Sequence, residues 1–154
     1  ASLQAGRNTA PLDDKTVRRV MSVFYNLDRT SNVRYDAGSR TVFRPLDAED
    51  GINHEIVVGP DIYPGAAVAD PNASLSMRCA AAHELSHKYR HDNLTEINEL
   101  ELEDIDEAVT SLTAILQFQT ELSAQEIREL ISDSIQRLMM YVAGYRAAVQ
   151  AGEA

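Results

Sequence analysis

The segment that most constrains the fold of this chain is "AAAHELSHKYRHD", residues 80 to 92. His83 and His87 stand four residues apart and enclose Glu84. On an α-helix, residues with this spacing share one face and lie about 6 Å apart along the axis. Two imidazoles placed in this way can bind one zinc ion, with the glutamate beside the open coordination position. The motif therefore predicts a packed helix and a further ligand from elsewhere in the chain.

A chance match is the alternative, because a pattern with three fixed positions is short and histidine and glutamate are common on solvated helices. Two features favour a functional site. The run from Cys79 to Ala82 and Leu85 make the rest of this helix apolar, which predicts that it is packed. Three of the four histidines of the chain also fall in this segment. Cys79 shares the face of His83, and we expect it to be a small buried packing residue.

The remaining metal ligand has several candidates. His91 is unsuitable because, on a continuous helix, it lies about 12 Å along the axis from His83, too far for one tetrahedral ion. The acidic run that follows offers Glu99, Glu101, Glu103, Asp104, Asp106 and Glu107. Runs of charge usually form a solvated face. Glu107 differs because it leads directly into the small and apolar "AVTSLTA", so we expect it to point inward, with Glu103 as the alternative.

Hydrophobic periodicity divides the chain into a mixed first half and a helical second half. Apolar residues at positions 17, 20, 21 and 24 predict a helix over residues 13 to 27. The segments "NVRYD", "RTVFRPL" and "HEIVVGP" predict three strands, and Ala37-Gly38-Ser39 predicts a hairpin turn between the first two. Residues 1 to 11 are expected to be a loose start.

Three helices are expected in the second half. Asn72 or Ser74 is expected to cap the motif helix, which runs to about His91. The segment "DEAVTSLTAILQF" predicts the next helix, and Ser123 and Glu126 form a capping box that opens the last one. Its expected core stripe consists of Ile127, Leu130, Ile131, Leu138, Val142, Tyr145 and Val149. The prediction is one α+β domain over residues 1–154: an N-terminal helix, a small antiparallel sheet, the active-site helix and two further helices.

Composition excludes several classes of partner. The chain has 154 residues, a net charge of −10 and a pI of about 4.7, which argues against nucleic acid and anionic membranes. One cysteine allows neither an intrachain disulfide nor a cysteine-only zinc cluster. The longest apolar run is too short for a membrane span, and the polar opening has no signal-peptide pattern. A cytoplasmic protein without nucleic-acid or membrane binding is therefore expected.

The motif and its interval resemble the gluzincin clan of zinc metallopeptidases. "HELSH" is followed after nineteen residues by "EAVTS", and thermolysin-like members carry "HELTH" and "NEAISD" at the same interval. The resemblance implies that His83, His87 and Glu107 bind zinc and that Glu84 is the general base. The segment "MRCAAAHELSHKYRH" also resembles the ImmA/IrrE-like small metallopeptidases, which are largely intracellular and place a few strands before the active helix. The similarity covers about residues 53 to 118, so the expected domain is a minimal zincin-like one.

Three departures from the family pattern stand out. Ser111 replaces the aspartate that supports a zinc histidine in thermolysin-like enzymes, so support for His83 is expected from a backbone carbonyl or Asp104. Ser86 replaces the glycine usual in the ImmA/IrrE motif. No histidine follows residue 91, so the histidine that helps to polarise the substrate carbonyl in larger gluzincins is missing. The weaker candidates for polarising the carbonyl are Tyr63, Tyr89, Tyr141, Tyr145 and His54.

The function expected from these residues is hydrolysis of a peptide bond by zinc-activated water, with Glu84 as general base. We expect an endopeptidase rather than an exopeptidase, acting on a protein or peptide that pairs with the strand "NHEIVVG". The alternative for that strand is an internal position with both edges taken. Two other functions remain open: a zinc-binding sensor or regulatory domain without proteolysis, and a helical interaction module in which the motif is coincidental.

Overall fold

The computed structural model describes residues 6–47, 51–65 and 75–152. Two short 3-10 turns, Pro60–Ile62 and Leu100–Leu102, accompany the regular elements. In chain order these elements are α1 (Asp14–Leu27), β1 (Val33–Tyr35), β2 (Val42–Pro45), β3 (His54–Val58), α2 (Met77–Asp92), α3 (Glu103–Gln117) and α4 (Ala124–Gln150). The predicted α+β class, with a helix, a small sheet and then three helices, is confirmed. No helix within the described ranges combines the length and apolar character needed to cross a membrane.

The sheet is mixed, with β3 between β1 and β2. β1 runs parallel to β3 and β2 runs antiparallel to it, so that Val33 and Phe43 both lie opposite Ile56. The prediction of a wholly antiparallel sheet with a hairpin between the first two strands is therefore wrong in its pairing. The predicted turn does form, since Ser39 N donates to Asp36 O at 3.1 Å, but the later strand inserts between its two arms.

Gly59 explains how the chain crosses from β1 to β2. Asp36 N donates to Val58 O at 2.9 Å, which carries the connecting loop over the end of β3. A Cβ atom at Gly59 would overlap the Ser39 carbonyl, so only glycine allows this close approach. The Asp61 carboxylate then accepts hydrogen bonds from the backbone and the hydroxyl of Thr41 at 2.8 and 2.6 Å. These contacts fix the start of β2, the strand that borders the candidate site.

Side-chain caps fix the starts of the helices. Asp13 caps α1 by accepting from Thr16 N at 2.7 Å, close to the predicted start. Ser76 caps α2 by accepting from Cys79 N at 3.2 Å. The expected caps of this helix, Asn72 and Ser74, lie outside the described residues. The capping box of Ser123 and Glu126 at the start of α4 is confirmed.

The core surrounds the small-residue face of α2. Residues 79 to 82 of this helix are fully buried, and they pack with Phe24 of α1, Ile56 of β3 and Leu130 of α4. Small side chains allow α2 to lie between α1, the sheet and α3. Cys79 is a packing residue, as predicted: its Sγ donates to Glu126 O at 3.3 Å, and burial raises the pKa of its thiol to about 12.

The chain start is anchored at Arg7. Its guanidinium donates to the carbonyls of Asp61 and Ile62, each at 2.8 Å, and of Leu75 at 2.5 Å. Because this buried arginine joins Asp61 and Ile62 to Leu75, the prediction of a loose start is wrong for Arg7. Residues 1 to 5 of the predicted loose start lie outside the described residues.

Most of the stripe predicted for α4 is not core. Leu130 is fully buried and Ile127 is partly buried, whereas the remaining members are 40 to 56% exposed: Ile131, Leu138, Val142, Tyr145 and Val149. The buried face of α4 consists of Leu130, Asp133, Ser134 and Arg137, so Ile131 and Leu138 lie on another face of the helix. α4 has 27 residues and its main partner α3 has 15, so α4 is also longer by about 18 Å.

Candidate metal centre

The fold brings His83, His87 and Glu107 together, as the sequence predicted. The two histidines project from one face of α2, and Glu107 meets them from the second turn of α3. Glu107 Oε2 lies 2.7 Å from His83 Nε2 and 3.2 Å from His87 Nε2. One ligand atom from each side chain lies within 4.8 Å of the other two. Two imidazole nitrogens and one carboxylate oxygen therefore converge on one point.

This donor set suits a metal ion. Ligand atoms at about 2.0–2.2 Å from a tetrahedral zinc ion stand about 3.3 Å from one another. The two separations from Glu107, 2.7 and 3.2 Å, are close to that spacing. Two histidines and one glutamate form a ligand set that proteins use for zinc with an open fourth position. The group can therefore hold a metal ion after a small outward shift of the carboxylate.

His87 and Glu107 shift each other's pKa values. Burial alone would raise the pKa of Glu107, but His87 and His83 more than offset it and hold that pKa well below its usual range. Burial alone would lower the pKa of His87, and the Glu107 carboxylate instead raises it. Without a cation, a nitrogen of each imidazole is the partner of the buried Glu107 carboxylate, at 2.7 and 3.2 Å. A bound divalent ion would take over that role.

Glu84 faces a cavity beside these three residues. The cavity has a volume of about 200 Å³ and is bounded by β2 on one side and α2 and α3 on the other. It is lined by Thr41, Val42, Phe43, Pro45, Glu84, His87, Glu96 and Glu107. Burial raises the pKa of Glu84, partly against the effect of the two histidines, which makes it a better proton acceptor than an exposed glutamate. Within the described ranges its carboxylate forms no hydrogen bond.

The support of His83 differs from the prediction. His83 Nδ1 lies 2.8 Å from Ser111 Oγ, and Ser111 Oγ donates to Asp133 Oδ2 at 2.6 Å. The suggested support from Asp104 is wrong, because this residue lines another cavity, beside Met140 of α4.

Sequence reasoning missed Asp133 and Arg137. Arg137 Nε donates to Asp133 Oδ2 at 2.9 Å, and both side chains are buried. The available signal was an acidic and a basic residue four positions apart, both next to the apolar stripe of the last helix.

The other histidines serve packing and hydrogen bonding. His91 Nδ1 lies 2.7 Å from Glu96 Oε1, and its ring tilts against Phe43, which agrees with the prediction that it is not a ligand. His54 stacks on the same phenylalanine, and its Nε2 accepts from Asn32 N at 2.9 Å. Glu103, the alternative third ligand, is exposed. The predicted tyrosine candidates for polarising a carbonyl are also not among the described residues that line the cavity.

The strand beside the cavity is β2, not β3. Both edges of β3 are paired, which is the alternative that the sequence left open for "NHEIVVG". Among the described residues β2 is an outer strand, and its residues Val42, Phe43 and Pro45 line the cavity together with Thr41, which directly precedes the strand. Phe43 of this strand stacks on His87, with ring centroids 6.2 Å apart. The prediction of β3 as the substrate strand is therefore wrong.

No protein-family model, no curated protein and no solved structure matches this chain. The gluzincin resemblance thus remains a prediction that rests on the motif and on its interval to Glu107.

Proposed function

We propose that this chain is a zinc-dependent peptidase that hydrolyses internal peptide bonds. The observation that carries the proposal is the meeting of His83, His87 and Glu107 from two helices, beside a Glu84 carboxylate that forms no hydrogen bond with any described residue. If the motif were coincidental, there would be no reason to expect a third possible ligand beside the two histidines. The interval of nineteen residues that resembles gluzincins supports the same assignment.

Each residue has a distinct role in this proposal. His83, His87 and Glu107 hold the ion, which supplies the positive charge that polarises a peptide carbonyl and acidifies water. Glu84 accepts a proton from the attacking water and later delivers it to the amine of the leaving peptide. Burial of Glu84 suits both steps, because it raises the pKa of the carboxyl towards the pH at which proton transfer in either direction is easy.

The substrate is expected to extend along β2. An outer strand offers unpaired backbone groups, and an extended peptide can satisfy them without sequence requirements. Glu84 and His87 line the same cavity as Val42 and Phe43 of this strand. A peptide paired with β2 is held on both sides of the bond to be cleaved, which favours an endopeptidase. The cytoplasmic location predicted from the sequence remains a prediction.

Metal content is the first test. The purified protein is expected to bind about one zinc ion per chain, since the described residues contain one complete ligand set. Elemental analysis after zinc incubation and desalting measures the ratio. A protein that holds no zinc after this treatment would contradict the proposal.

The role of Glu84 is the second test. Glu84→Gln keeps the shape of the side chain and removes the proton acceptor, so it is expected to retain zinc and to lose hydrolysis of a mixed decapeptide library by about a hundredfold or more. Glu99→Gln, an exposed change outside the cavity lining, is the matched control and is expected to cleave like the unmodified protein. Loss of zinc from Glu84→Gln would mean that Glu84 is a ligand or a structural residue.

A zinc-binding sensor domain is the second candidate. One observation favours it: the cavity contains, among the described residues that line it, no tyrosine or further histidine to stabilise a developing oxyanion. Such a domain would bind one zinc ion and cleave no member of the library. The two experiments together therefore separate the candidates, because zinc binding without hydrolysis supports the sensor and the absence of zinc excludes both.

A further inference from the structure

The two metal ligands on different helices are joined by a closed ring of buried side chains. His83 contacts Ser111, Ser111 contacts Asp133, Asp133 contacts Arg137, Arg137 contacts Glu107, and Glu107 returns to His83. We call these five residues the ligand ring. Each member has at most 6% of its surface exposed. The ring links α2, α3 and α4, and its two members on α4 are not among the described residues that line the cavity.

The hydrogen bonds of the ring have a fixed direction. Asp133 Oδ2 accepts a hydrogen bond from Arg137 Nε at 2.9 Å. The Ser111 hydroxyl has one proton, and it donates that proton to Asp133 Oδ2 at 2.6 Å. Ser111 Oγ can then only accept at its 2.8 Å contact with His83 Nδ1. Nδ1 must therefore carry the proton, and Nε2 is the nitrogen that faces Glu107 and the metal position.

We infer that Asp133 is a positioning residue of the metal centre, which acts on His83 through Ser111 and on Glu107 through Arg137. The inference rests on the proposed metal site. Through the serine, Asp133 holds a proton on Nδ1 of His83, so that Nε2 is the nitrogen available to a metal. Through the arginine, whose Nη1 lies 3.6 Å from Glu107 Oε2, it steadies the ligand that comes from the other helix. A histidine ligand usually needs such a partner at its second nitrogen.

An amide at position 133 cannot replace the carboxylate. Asp133 Oδ2 accepts hydrogen bonds from both Ser111 and Arg137, whereas Oδ1 is buried and has no hydrogen-bond partner among the described residues. In Asp133→Asn, the amide nitrogen either faces two donors or occupies the position of Oδ1 without an acceptor. The first orientation breaks the ring, and the second leaves a buried donor unsatisfied. The ring therefore requires a carboxylate at position 133, and an amide of the same shape does not replace it.

Zinc affinity measured against a competing chelator tests the inference. Asp133→Asn and Ser111→Ala are expected to weaken zinc binding by about tenfold to a hundredfold, the usual effect of losing a residue that orients a ligand. Ser134→Ala is the matched control, because Ser134 is a buried serine of α4 that donates to Ile131 O and lies outside the ring. It is expected to bind zinc like the unmodified protein. Circular dichroism verifies that each variant is folded.

A spectroscopic measurement separates positioning from a general loss of structure. In ¹⁵N-labelled protein, His83 Nδ1 is expected to carry a slowly exchanging proton, with and without zinc. The exchange of that proton is expected to be faster in Asp133→Asn and unchanged in Ser134→Ala. If Asp133→Asn does not fold, the pair Ser111→Ala and Ser134→Ala, two buried helical serines, provides the same comparison.

The outcomes distinguish this inference from the proposed function. If the unmodified protein binds zinc and Asp133→Asn binds it equally well, the positioning role is wrong and the metal site stands. If the unmodified protein binds no zinc, the proposed function is wrong, and the His83 proton in the metal-free protein still tests the ring. A His83 Nδ1 proton that exchanges equally fast in the unmodified protein and in Asp133→Asn overturns the inference in either case.

Discussion

At the scale of single residues, burial separates one carboxylate from its neighbours in an acidic run. Glu103 and Glu107 lie one turn apart on α3, yet Glu103 is exposed and Glu107 is 6% exposed. Glu107 meets two imidazoles, and Arg137 lies 3.6 Å from its Oε2. A buried carboxylate needs such partners, because removal of its charge from water costs several kcal/mol. Composition alone made these glutamates look equivalent.

The third ligand can be tested by comparing three substitutions. Glu107→Ala is expected to weaken zinc binding more than about a hundredfold, beyond what loss of a supporting residue costs, because only two imidazoles remain. Glu103→Ala and His91→Ala are expected to bind zinc like the unmodified protein, since neither belongs to the convergent group. Titration against a chelator measures all three. Release of zinc by His91→Ala, with retention in Glu107→Ala, would place this chain with the three-histidine enzymes.

At the scale of elements, α2 combines an apolar face with polar side chains that are buried at its end. Lys88 Nζ lies 2.5 Å from Asp28 Oδ2 at the end of α1, and Arg90 Nη1 lies 2.7 Å from Asp106 Oδ1 on α3. These two ion pairs, each largely shielded from solvent, join α2 to both neighbours. They also fix the rotation of the helix, and therefore the direction in which His83 and His87 point.

The end of α2 contains a backbone conformation that suits glycine better than leucine. Leu94 directly follows the C-cap residue, has a φ of 56° and is 89% exposed. A left-handed conformation costs a leucine about 1 kcal/mol or more, whereas glycine adopts it without that penalty. Leu94→Gly is therefore expected to raise the free energy of unfolding by about 0.5–1 kcal/mol and the melting temperature by about 1–4 °C.

Thermal denaturation followed by circular dichroism measures this change. Leu100→Gly is the control, since Leu100 is also 82% exposed but has no positive φ. It is expected to leave the melting temperature unchanged or to lower it. A lower melting temperature for Leu94→Gly would show that this side chain makes contacts that its exposure does not indicate.

At the scale of the whole molecule, the helices are unevenly covered. The first half of α4 packs on α3 and provides Leu130 to the core and Asp133 to the ligand ring. Its second half presents apolar side chains to solvent, including Leu138, Met139 and Val142. The apolar pattern is continuous along the helix, but the buried face of α4 does not continue beyond Arg137.

This uneven coverage predicts different costs for the same substitution on one helix. Leu130→Ala removes a fully buried side chain and is expected to lower the free energy of unfolding by about 2–5 kcal/mol. Leu138→Ala removes a side chain that is 40% exposed and is expected to cost less than about 1 kcal/mol. Urea unfolding monitored by circular dichroism gives both values. Equal losses would mean that the second half of α4 is packed in solution.

The sequence by itself determined the features that depend on neighbours along the chain. Helical periodicity and capping residues fixed α1, α3 and α4 to within a few residues. The spacing of His83 and His87 fixed their common face, and the apolar residues after Glu107 indicated that this glutamate turns inward. Each of these signals lies within a few turns of one helix, so no knowledge of the fold was needed to interpret it.

The tertiary structure alone decided the features that depend on segments distant in the chain. The order of the strands, which gives β2 rather than β3 the position beside the cavity, follows from insertion of β3 between two strands that precede it. Support of His83 by Asp133 joins residues fifty positions apart through Ser111. The burial of Leu130 and the exposure of Leu138 depend on which face of α4 packs on its neighbours. Local sequence carries no signal for these pairings, because the free energy that selects them comes from packing between elements.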